Sequence, residues 1–266
     1  MRGWLGRIAA PALVALTALG GCDLLTTGVQ PLESGVQFTL MDGYDLNGTA
    51  PGIPALYLAV ATETIYGCMN YPLEATVRRA GSTTTVELEG VRKVNTCLTA
   101  TGPALFRTRL DLPAGASTLV IRGKGAEDRY QVTVGNDRVE VSPATGAISR
   151  TALPRSWRVP ANTFAARCEY VPPTVPQPAA RCAAFQDSVA ALAGVTRYFF
   201  GAEATPPSPP FNEGNPSTDE RAYAYADESA LTLAQGLVQR LARRDSAFYL
   251  SLRSWRNEYY PTWRPD

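Results

Sequence analysis

The chain contains no histidine, and this absence limits its chemistry more than any other feature of its composition. Without an imidazole there is no Ser-His-Asp or Cys-His nucleophile, no histidine-ligated catalytic zinc and no histidine pH switch. Catalysis would have to use carboxylates, tyrosine or lysine. Lys93 and Lys124 are the only lysines, and neither belongs to an S-x-x-K sequence. A Ser-Lys nucleophile is therefore not indicated.

The most closely clustered carboxylates of the C-terminal third are Glu220, Asp227 and Glu228. A glycosidase needs two carboxylates that face each other across a cleft. On a helix, adjacent residues such as Asp227 and Glu228 point about 100° apart. Solvated or helix-capping roles are therefore favoured over a catalytic pair.

A second group of oxygen ligands lies in the segment 42–48, which begins with Asp42 and contains Asp45 and Asn47. Its order does not fit a calcium-binding EF-hand, because the first ligand position would be Gly43 and the last would be Pro54. A polar loop is the favoured interpretation, and an unorthodox calcium loop is the alternative.

The C-terminal segment alternates aromatic residues with Arg253, Arg256 and Arg264. Aromatic faces beside guanidinium groups can stack on sugar rings or hold an anionic polymer such as a cell-wall glycan. The alternative is that the helical spacing from Phe248 to Tyr259 docks these residues on the rest of the protein. The candidate binding patch, called the aromatic patch below, consists of Tyr249, Trp255, Tyr259, Tyr260 and Trp263.

Five cysteines are present, and four of them lie in the body of the chain. Four cysteines allow three pairings, of which we favour the two local bonds, Cys68 with Cys97 and Cys168 with Cys182. A zinc site made by all four thiolates is the rival hypothesis, but the sequence lacks any C-x-x-C pair. Paired cysteines are typical of exported proteins.

Residues 1–21 have the features of a secretory signal. Arg2 and Arg7 precede an apolar run from Ile8 to Leu19, which is shorter than the roughly 20 residues needed to span a bilayer. The run ends in Leu19, Gly20 and Gly21, followed by the fifth cysteine, Cys22.

These four residues resemble the cleavage box of bacterial lipoprotein precursors. The resemblance implies cleavage before Cys22, a diacylglyceryl group on its thiol and acyl chains, such as palmitate, that anchor the protein to a membrane. Asp23 resembles the signal that retains enterobacterial lipoproteins at the cytoplasmic membrane. The choice between cytoplasmic and outer membrane is left open.

After a tether at residues 22–34, the hydrophobic period is two from Val36 to Val141, with turns near Gly81, Gly115 and Gly135. Eight short strands at regular intervals predict an antiparallel β-sandwich at residues 35–143. The segment 110–115, followed by residues 119–121, resembles the strand-turn-strand of immunoglobulin-like bacterial surface domains.

The remainder changes character twice. Prolines recur in residues 144–180, which predicts a packed connector without helix or central strand. Residues 181–266 predict a smaller helical region. One helix ends at Gly194, Ser217 and Glu220 form a capping box that starts a second, and the spacing from Phe248 to Tyr259 continues it or adds a third.

The sequence thus predicts a mainly β protein with α-helices, an immunoglobulin-like sandwich followed by a helical region. The balance of 25 basic and 24 acidic side chains argues against nucleic acid. We expect a lipid-anchored extracytoplasmic binding module whose partners are the membrane, through Cys22, and an envelope protein or glycan. A carboxylate-dependent hydrolase of an envelope polysaccharide and a structural spacer are the alternatives, and no cofactor or metal is indicated.

Overall fold

The computed structural model describes residues 28–45, 52–170, 177–204, 206–207, 218–242 and 248–261. Within these ranges the chain forms strands arranged in three sheets, and two helices. The strands are β1 (Val29–Gln30), β2 (Val36–Gly43), β3 (Ala55–Tyr66), β4 (Leu73–Ala80), β5 (Thr83–Arg92), β6 (Gly102–Arg109), β7 (Gly115–Gly123), β8 (Ala126–Val134), β9 (Arg138–Ser142), β10 (Ser149–Thr151), β11 (Arg155–Trp157), β12 (Thr163–Tyr170), β13 (Val195–Arg197), β14 (Thr218–Tyr225), β15 (Phe248–Ser254) and β16 (Tyr259–Pro261). The helices are α1 (Pro178–Ala190) and α2 (Glu228–Ala242).

The first sheet has the order β1-β5-β7-β8-β9-β11, with β4 also paired to β5. The second sheet has the order β10-β2-β3-β6. Most neighbours are antiparallel, and the parallel pairs are β5 with β7 and β10 with β2. The eight strands predicted between Val36 and Val141 correspond to β2 through β9, so this prediction is confirmed.

The first and second sheets share one hydrophobic core. Alternate side chains point into it, as the pleat of a strand requires. In β2 these are Val36, Phe38 and Leu40, and in β8 they are Tyr130 and Val132. The rings of Phe38 and Tyr130 meet edge to face across the sheets, with 4.8 Å between their centroids.

The third sheet has the order β13-β14-β12-β15-β16 and is antiparallel throughout. Both helices pack on one of its faces, where they cover a second core that includes Phe164, Tyr223 and Leu252. Gln186 of α1 is fully buried there and donates hydrogen bonds to the carbonyl oxygens of Ala166 and Asp219.

The predicted helix start at Ser217 and Glu220 is wrong. Strand β14 begins at Thr218, and α2 begins only at Glu228. Asp227 caps α2 instead, since its carboxylate accepts hydrogen bonds from the backbone N–H groups of Ser229 and Ala230. The capping pattern depends on nearby residues alone, whereas pairing with β12 decides the structure of this segment.

The predicted helix from Phe248 to Tyr259 is also wrong, because this segment forms β15 and β16. The apolar residues that are four, three and four apart suggest a helix. However, the same segment alternates, with Leu250 and Leu252 buried against the helices and Tyr249 and Ser251 on the other face. The C-terminal region therefore consists of two helices on a five-stranded sheet and is not a helical region.

The segment 144–180 contains more regular structure than its prolines predict. Strand β10 joins the second sheet, β11 joins the first, and β12 is the central strand of the third. Strand β12 contains no proline. Of the described prolines, Pro154 and Pro160 lie between strands and Pro178 starts α1, whereas residues 171–176 lie outside the described residues. The prediction that this segment contains neither helix nor central strand is therefore wrong, because β12 is central and α1 begins at Pro178. The helix predicted from Phe185 onward is present as α1, but it ends at Ala190, before the positive-φ Gly194.

Both favoured disulfides are present. Cys68 is bonded to Cys97 with their Cα atoms 5.3 Å apart, and Cys168 is bonded to Cys182 with 5.6 Å between the Cα atoms. The first bond joins the loop after β3 to the loop after β5. The second joins β12 to α1. Disulfides indicate an oxidising, extracytoplasmic environment.

Candidate functional site

The third sheet has one face without helices, and this outer face carries a mixture of aromatic and charged side chains. Because side chains alternate along a strand, residues in register with each other share a face. Arg167 in β12 lies opposite Glu220 in β14 and opposite Ser251 in β15. Strand β15 adds Tyr249 and Arg253 to the outer face, beside Glu169 and Ala165 of β12.

A cleft of about 470 Å³ opens at the β13 edge of this sheet. Phe199 stands at the cleft with 76 % of its surface exposed, and the guanidinium of Arg197 lies 5.2 Å from the centroid of its ring. The cleft is lined by Arg197, Tyr198, Phe199, Phe200, Gly201, Ala202, Ala204, Pro206, Glu220 and Ala222. It therefore joins the outer face at Glu220 and Ala222.

The loop that forms the cleft is fixed from two sides. The backbone N–H of Tyr198 donates to the carbonyl oxygen of Ala222, 2.9 Å away. The indole Nε1 of Trp157, in the first sheet, donates to the carbonyl oxygen of Gly201, also at 2.9 Å. Trp157 is itself buried. The cleft is therefore held in place before any ligand arrives.

The aromatic patch is divided between the two faces of the sheet. Tyr249 and Tyr259 belong to the outer face, where their hydroxyl groups form a hydrogen bond with each other. Tyr260 packs against the core on the helix side, and Trp255 packs against it where the sheets meet, with its indole donating to the Tyr225 hydroxyl. Trp263 lies outside the described residues. Binding by the patch stays a prediction.

Tyr249 is neutral at physiological pH. Burial, together with the hydrogen bond between its hydroxyl and that of Tyr259, raises the pKa of Tyr249 to about 12. The Arg253 guanidinium lies 5.2 Å from the centroid of the Tyr259 ring, so a cation rests on the aromatic surface. Tyrosine hydroxyls beside an arginine cation suit a ligand that carries both hydroxyl groups and negative charge.

Polar atoms without partners also concentrate here. Among the described residues, five buried side-chain polar atoms lack a hydrogen-bond partner, and three of them belong to Arg167, Arg197 and Thr218. Arg167 lies on the outer face, Arg197 lines the cleft, and Thr218 pairs with Glu169 across the strands. Buried polar groups are nearly always hydrogen-bonded. The Arg167 guanidinium is paired through Nη2 with Glu169 at 3.2 Å, and the Arg197 guanidinium lies 5.4 Å from the centroid of the Tyr223 ring, which it faces across the strands. The buried Nε atoms therefore do not by themselves mark a ligand site.

The carboxylates singled out in the sequence do not form a facing pair. Glu220 lines the cleft, whereas Asp227 lies beyond the far end of β14 and caps α2. The five residue-to-residue steps from Glu220 to Tyr225 alone extend about 17 Å along a strand. A hydrogen bond from the Ser229 hydroxyl, together with the Ala230 N–H, holds the pKa of Asp227 below its usual value.

Glu228 lies at the first turn of α2, where its carboxylate is 3.7 Å from the Arg256 guanidinium. Like Asp227, it therefore lies where β14 leads into α2 and not in the cleft. Of the described residues that line the cleft, only Glu220 carries a carboxylate. The geometry of the carboxylates predicted from the sequence therefore does not provide the two groups that glycoside hydrolysis requires.

Asp42 has a structural role that the sequence reasoning missed. Its carboxylate is 1 % exposed and lies 2.9 Å from the Arg158 guanidinium, and it accepts a hydrogen bond from the Val159 N–H. This ion pair ties the end of β2 to the start of the third sheet. The burial of Asp42 could have been predicted from the sequence, since every second residue of β2 before it, Val36, Phe38 and Leu40, points into the core. Residues 46–48 of the candidate calcium loop lie outside the described residues.

Asp128 is a second buried carboxylate that was missed. It accepts hydrogen bonds from the backbone N–H groups of Ala147, Ile148 and Ser149 and from the Ser149 hydroxyl, at 2.6–2.9 Å. Burial by itself would raise the pKa of Asp128, but these bonds outweigh it and lower the pKa. Its burial could also have been predicted from the sequence, because Asp128 lies two residues before Tyr130 in β8 and therefore points to the same, inward side.

In the part of the chain that the structure describes, no group of three or more cysteine or acidic residues is placed to hold a metal ion. None of the described helices has the length and apolar character of a membrane span. Comparison of the chain with protein-family models, curated proteins and solved structures gives no significant match.

Proposed function

We propose that the protein is a lipid-anchored extracytoplasmic envelope protein that binds an acidic glycan on the outer face of its third sheet. The observation that carries this proposal is the presence of arginine cations against accessible aromatic rings. Arg253 lies over the ring of Tyr259 on the outer face, Arg197 lies over the ring of Phe199 at the cleft, and both rings are exposed. Carboxylated sugars combine acceptors for guanidinium groups with apolar ring faces that stack on aromatic residues.

The shape of the site supports a chain-like ligand. The cleft lies at the β13 edge and the tyrosine pair at the β15–β16 edge. Strands lie about 4.8 Å apart in a sheet, so the five strands span about 19 Å. A surface of this length accommodates several sugar units, with Arg167 at its centre.

The rest of the molecule acts as the support in this proposal. The first and second sheets would form the immunoglobulin-like β-sandwich, as their shared core and the turn between Leu110 and Gly115 suggest. The third sheet joins this unit at the end of β2, where the Tyr44 hydroxyl donates to the carbonyl oxygen of Trp255. Lipid on Cys22 would anchor the chain at its N-terminal side.

Titration of the full mature protein, purified with its lipid in detergent, tests the proposal. We use polygalacturonate as a carboxylated polysaccharide and dextran as a neutral one. We expect binding of polygalacturonate alone, with an affinity that falls as salt is added. The substitutions Arg167→Gln and Phe199→Ala should each weaken it about tenfold, which corresponds to about 1.4 kcal/mol.

The control is Arg129→Gln in the first sheet. Arg129 has a side chain that is 64 % exposed and pairs with Glu127, so its loss removes an exposed cation away from the outer face. This variant should bind like the parent protein. The absence of polygalacturonate binding, or binding that neither outer-face substitution changes, would contradict the proposal.

A further inference from the structure

One end of the first two sheets concentrates the exposed apolar side chains. Strand β3 ends there, β4 and β6 begin there, and β5 ends there before a loop that leads to β6. Of the nine large hydrophobic residues exposed in the described structure, five lie at or near this end. We call it the apolar end, and its residues are Val29, Ile65, Met69, Leu98 and Leu105.

The exposed positions are held rigidly. The disulfide between Cys68 and Cys97 joins the two loops that carry Met69 and Leu98. Asn70 adds two hydrogen bonds to the second loop, because its side chain donates to the Thr96 carbonyl oxygen and accepts from the Leu98 N–H. Leu98 nevertheless has 52 % of its surface exposed. The loops thus present apolar side chains to their surroundings and do not bury them.

Strand β1 also lies at the apolar end. Val29 in β1 pairs with Arg92, the last residue of β5. Residues 23–28 separate Val29 from Cys22, and so short a segment reaches at most about 25 Å. Strand β3, with 12 residues, extends about 40 Å. A lipid on Cys22 would therefore keep the apolar end, and not the opposite end, next to the bilayer.

The third sheet is attached at the opposite end. Val36 starts β2 at the apolar end, whereas Asp42 and Tyr44, at the other end of β2, contact Arg158 and Trp255. The third sheet is therefore remote from the anchor.

We infer that the apolar end contacts the membrane surface, with Leu98 and Met69 inserted among the lipid headgroups and the upper acyl chains. This inference rests on the proposed lipid anchor at Cys22. Apolar side chains gain free energy when they leave water for the membrane interface. The contact fixes the orientation of the protein, so that the third sheet lies at the end of the molecule remote from the membrane.

Tryptophan quenching by brominated lipids tests the inference. The full mature protein is reconstituted into vesicles of phosphatidylethanolamine and phosphatidylglycerol with brominated acyl chains. The variant Leu98→Trp places an indole at the apolar end, and Phe199→Trp places one at the remote cleft. The fluorescence of the existing tryptophans is measured in the parent protein and subtracted. We expect quenching and a blue shift for Leu98→Trp and neither effect for Phe199→Trp.

Flotation of the same vesicles separates the possible failures. If the protein floats but the indole of Leu98→Trp is not quenched, the anchor stands and the membrane contact is overturned. If the protein does not float, the anchoring fails and the inference fails with it. Equal quenching of both variants would also overturn it, as would concentration-dependent dimerisation that shields Leu98 without lipid.

Discussion

The buried carboxylate of Asp128 provides the sharpest test of the fold, through the substitution Asp128→Asn. Asp128 belongs to β8 in the first sheet, and its hydrogen bonds hold the segment that leads into β10 in the second sheet. The amide of asparagine keeps the shape of the side chain, so the effect of removing the charge is not mixed with that of a cavity. Both carboxylate oxygens of Asp128 accept hydrogen bonds, so the NH2 group of the asparagine amide must face an N–H or O–H donor of the 147–149 segment.

The magnitude follows from which donors are buried. Ser149 is 4 % exposed, and both its N–H and its hydroxyl bond to Asp128. Hydrogen bonds to a charged group contribute about 1.5–3 kcal/mol and neutral ones about 0.5–1.5 kcal/mol. Each of the two Ser149 hydrogen bonds should therefore contribute about 1 kcal/mol less when the carboxylate becomes an amide. Ala147 is an exposed residue, so we expect its N–H to bond to water in the variant. The free energy of unfolding should therefore fall by about 2 kcal/mol.

The assay is urea unfolding at neutral and acidic pH. Because the pKa of Asp128 is lowered in the folded protein, its contribution is complete above the unfolded pKa of about 3.9 and is lost as pH falls through the folded pKa. The difference between parent and variant should thus be constant near neutrality and disappear in strong acid.

The control is Asp111→Asn, whose side chain is 77 % exposed and pairs with Arg109. An exposed ion pair is worth about 0–1 kcal/mol, so this variant should remain close to the parent. A change for Asp128→Asn no larger than that of the control, or a change that persists in strong acid, would refute the reasoning.

Two further predictions concern the cysteines. Cys22→Ala should release the protein from membranes or stall removal of its leader, and membrane fractionation that shows unchanged partition would exclude the lipid anchor. The mature protein should gain no alkyl groups from iodoacetamide before reduction and four after it, by mass spectrometry, because Cys68 pairs with Cys97 and Cys168 with Cys182; any adduct on these residues without reductant would contradict the pairing.

The strands of the first two sheets were predictable because their signal is local. A strand that is buried on one face alternates apolar and polar residues, and Val36, Phe38 and Leu40 show that pattern without help from distant residues. The cysteine pairing was predictable for a similar reason, since the favoured bonds close short segments. The burial of Asp42 and Asp128 could be predicted in the same way, because both stand at positions that alternate with outward-facing residues.

The third sheet was not predictable in the same way. The residues from Phe248 to Tyr259 fit a helical period and an alternating one, so the local pattern is ambiguous. Pairing with β12 resolves it, since Leu252 lies opposite Ala166 and is fully buried under the helices. That pairing joins segments more than eighty residues apart, and no local pattern encodes it.

Composition and alternation were enough to predict the strands of residues 35–143, to favour the two local disulfides and to exclude histidine chemistry, and they led to the prediction of a lipid on Cys22. The shared face of Arg167, Glu220 and Tyr249, and the position of Phe199 at its cleft, became visible only in the folded protein. Composition and alternation act within a segment, whereas a surface of this kind arises from the register between strands that are distant in the chain.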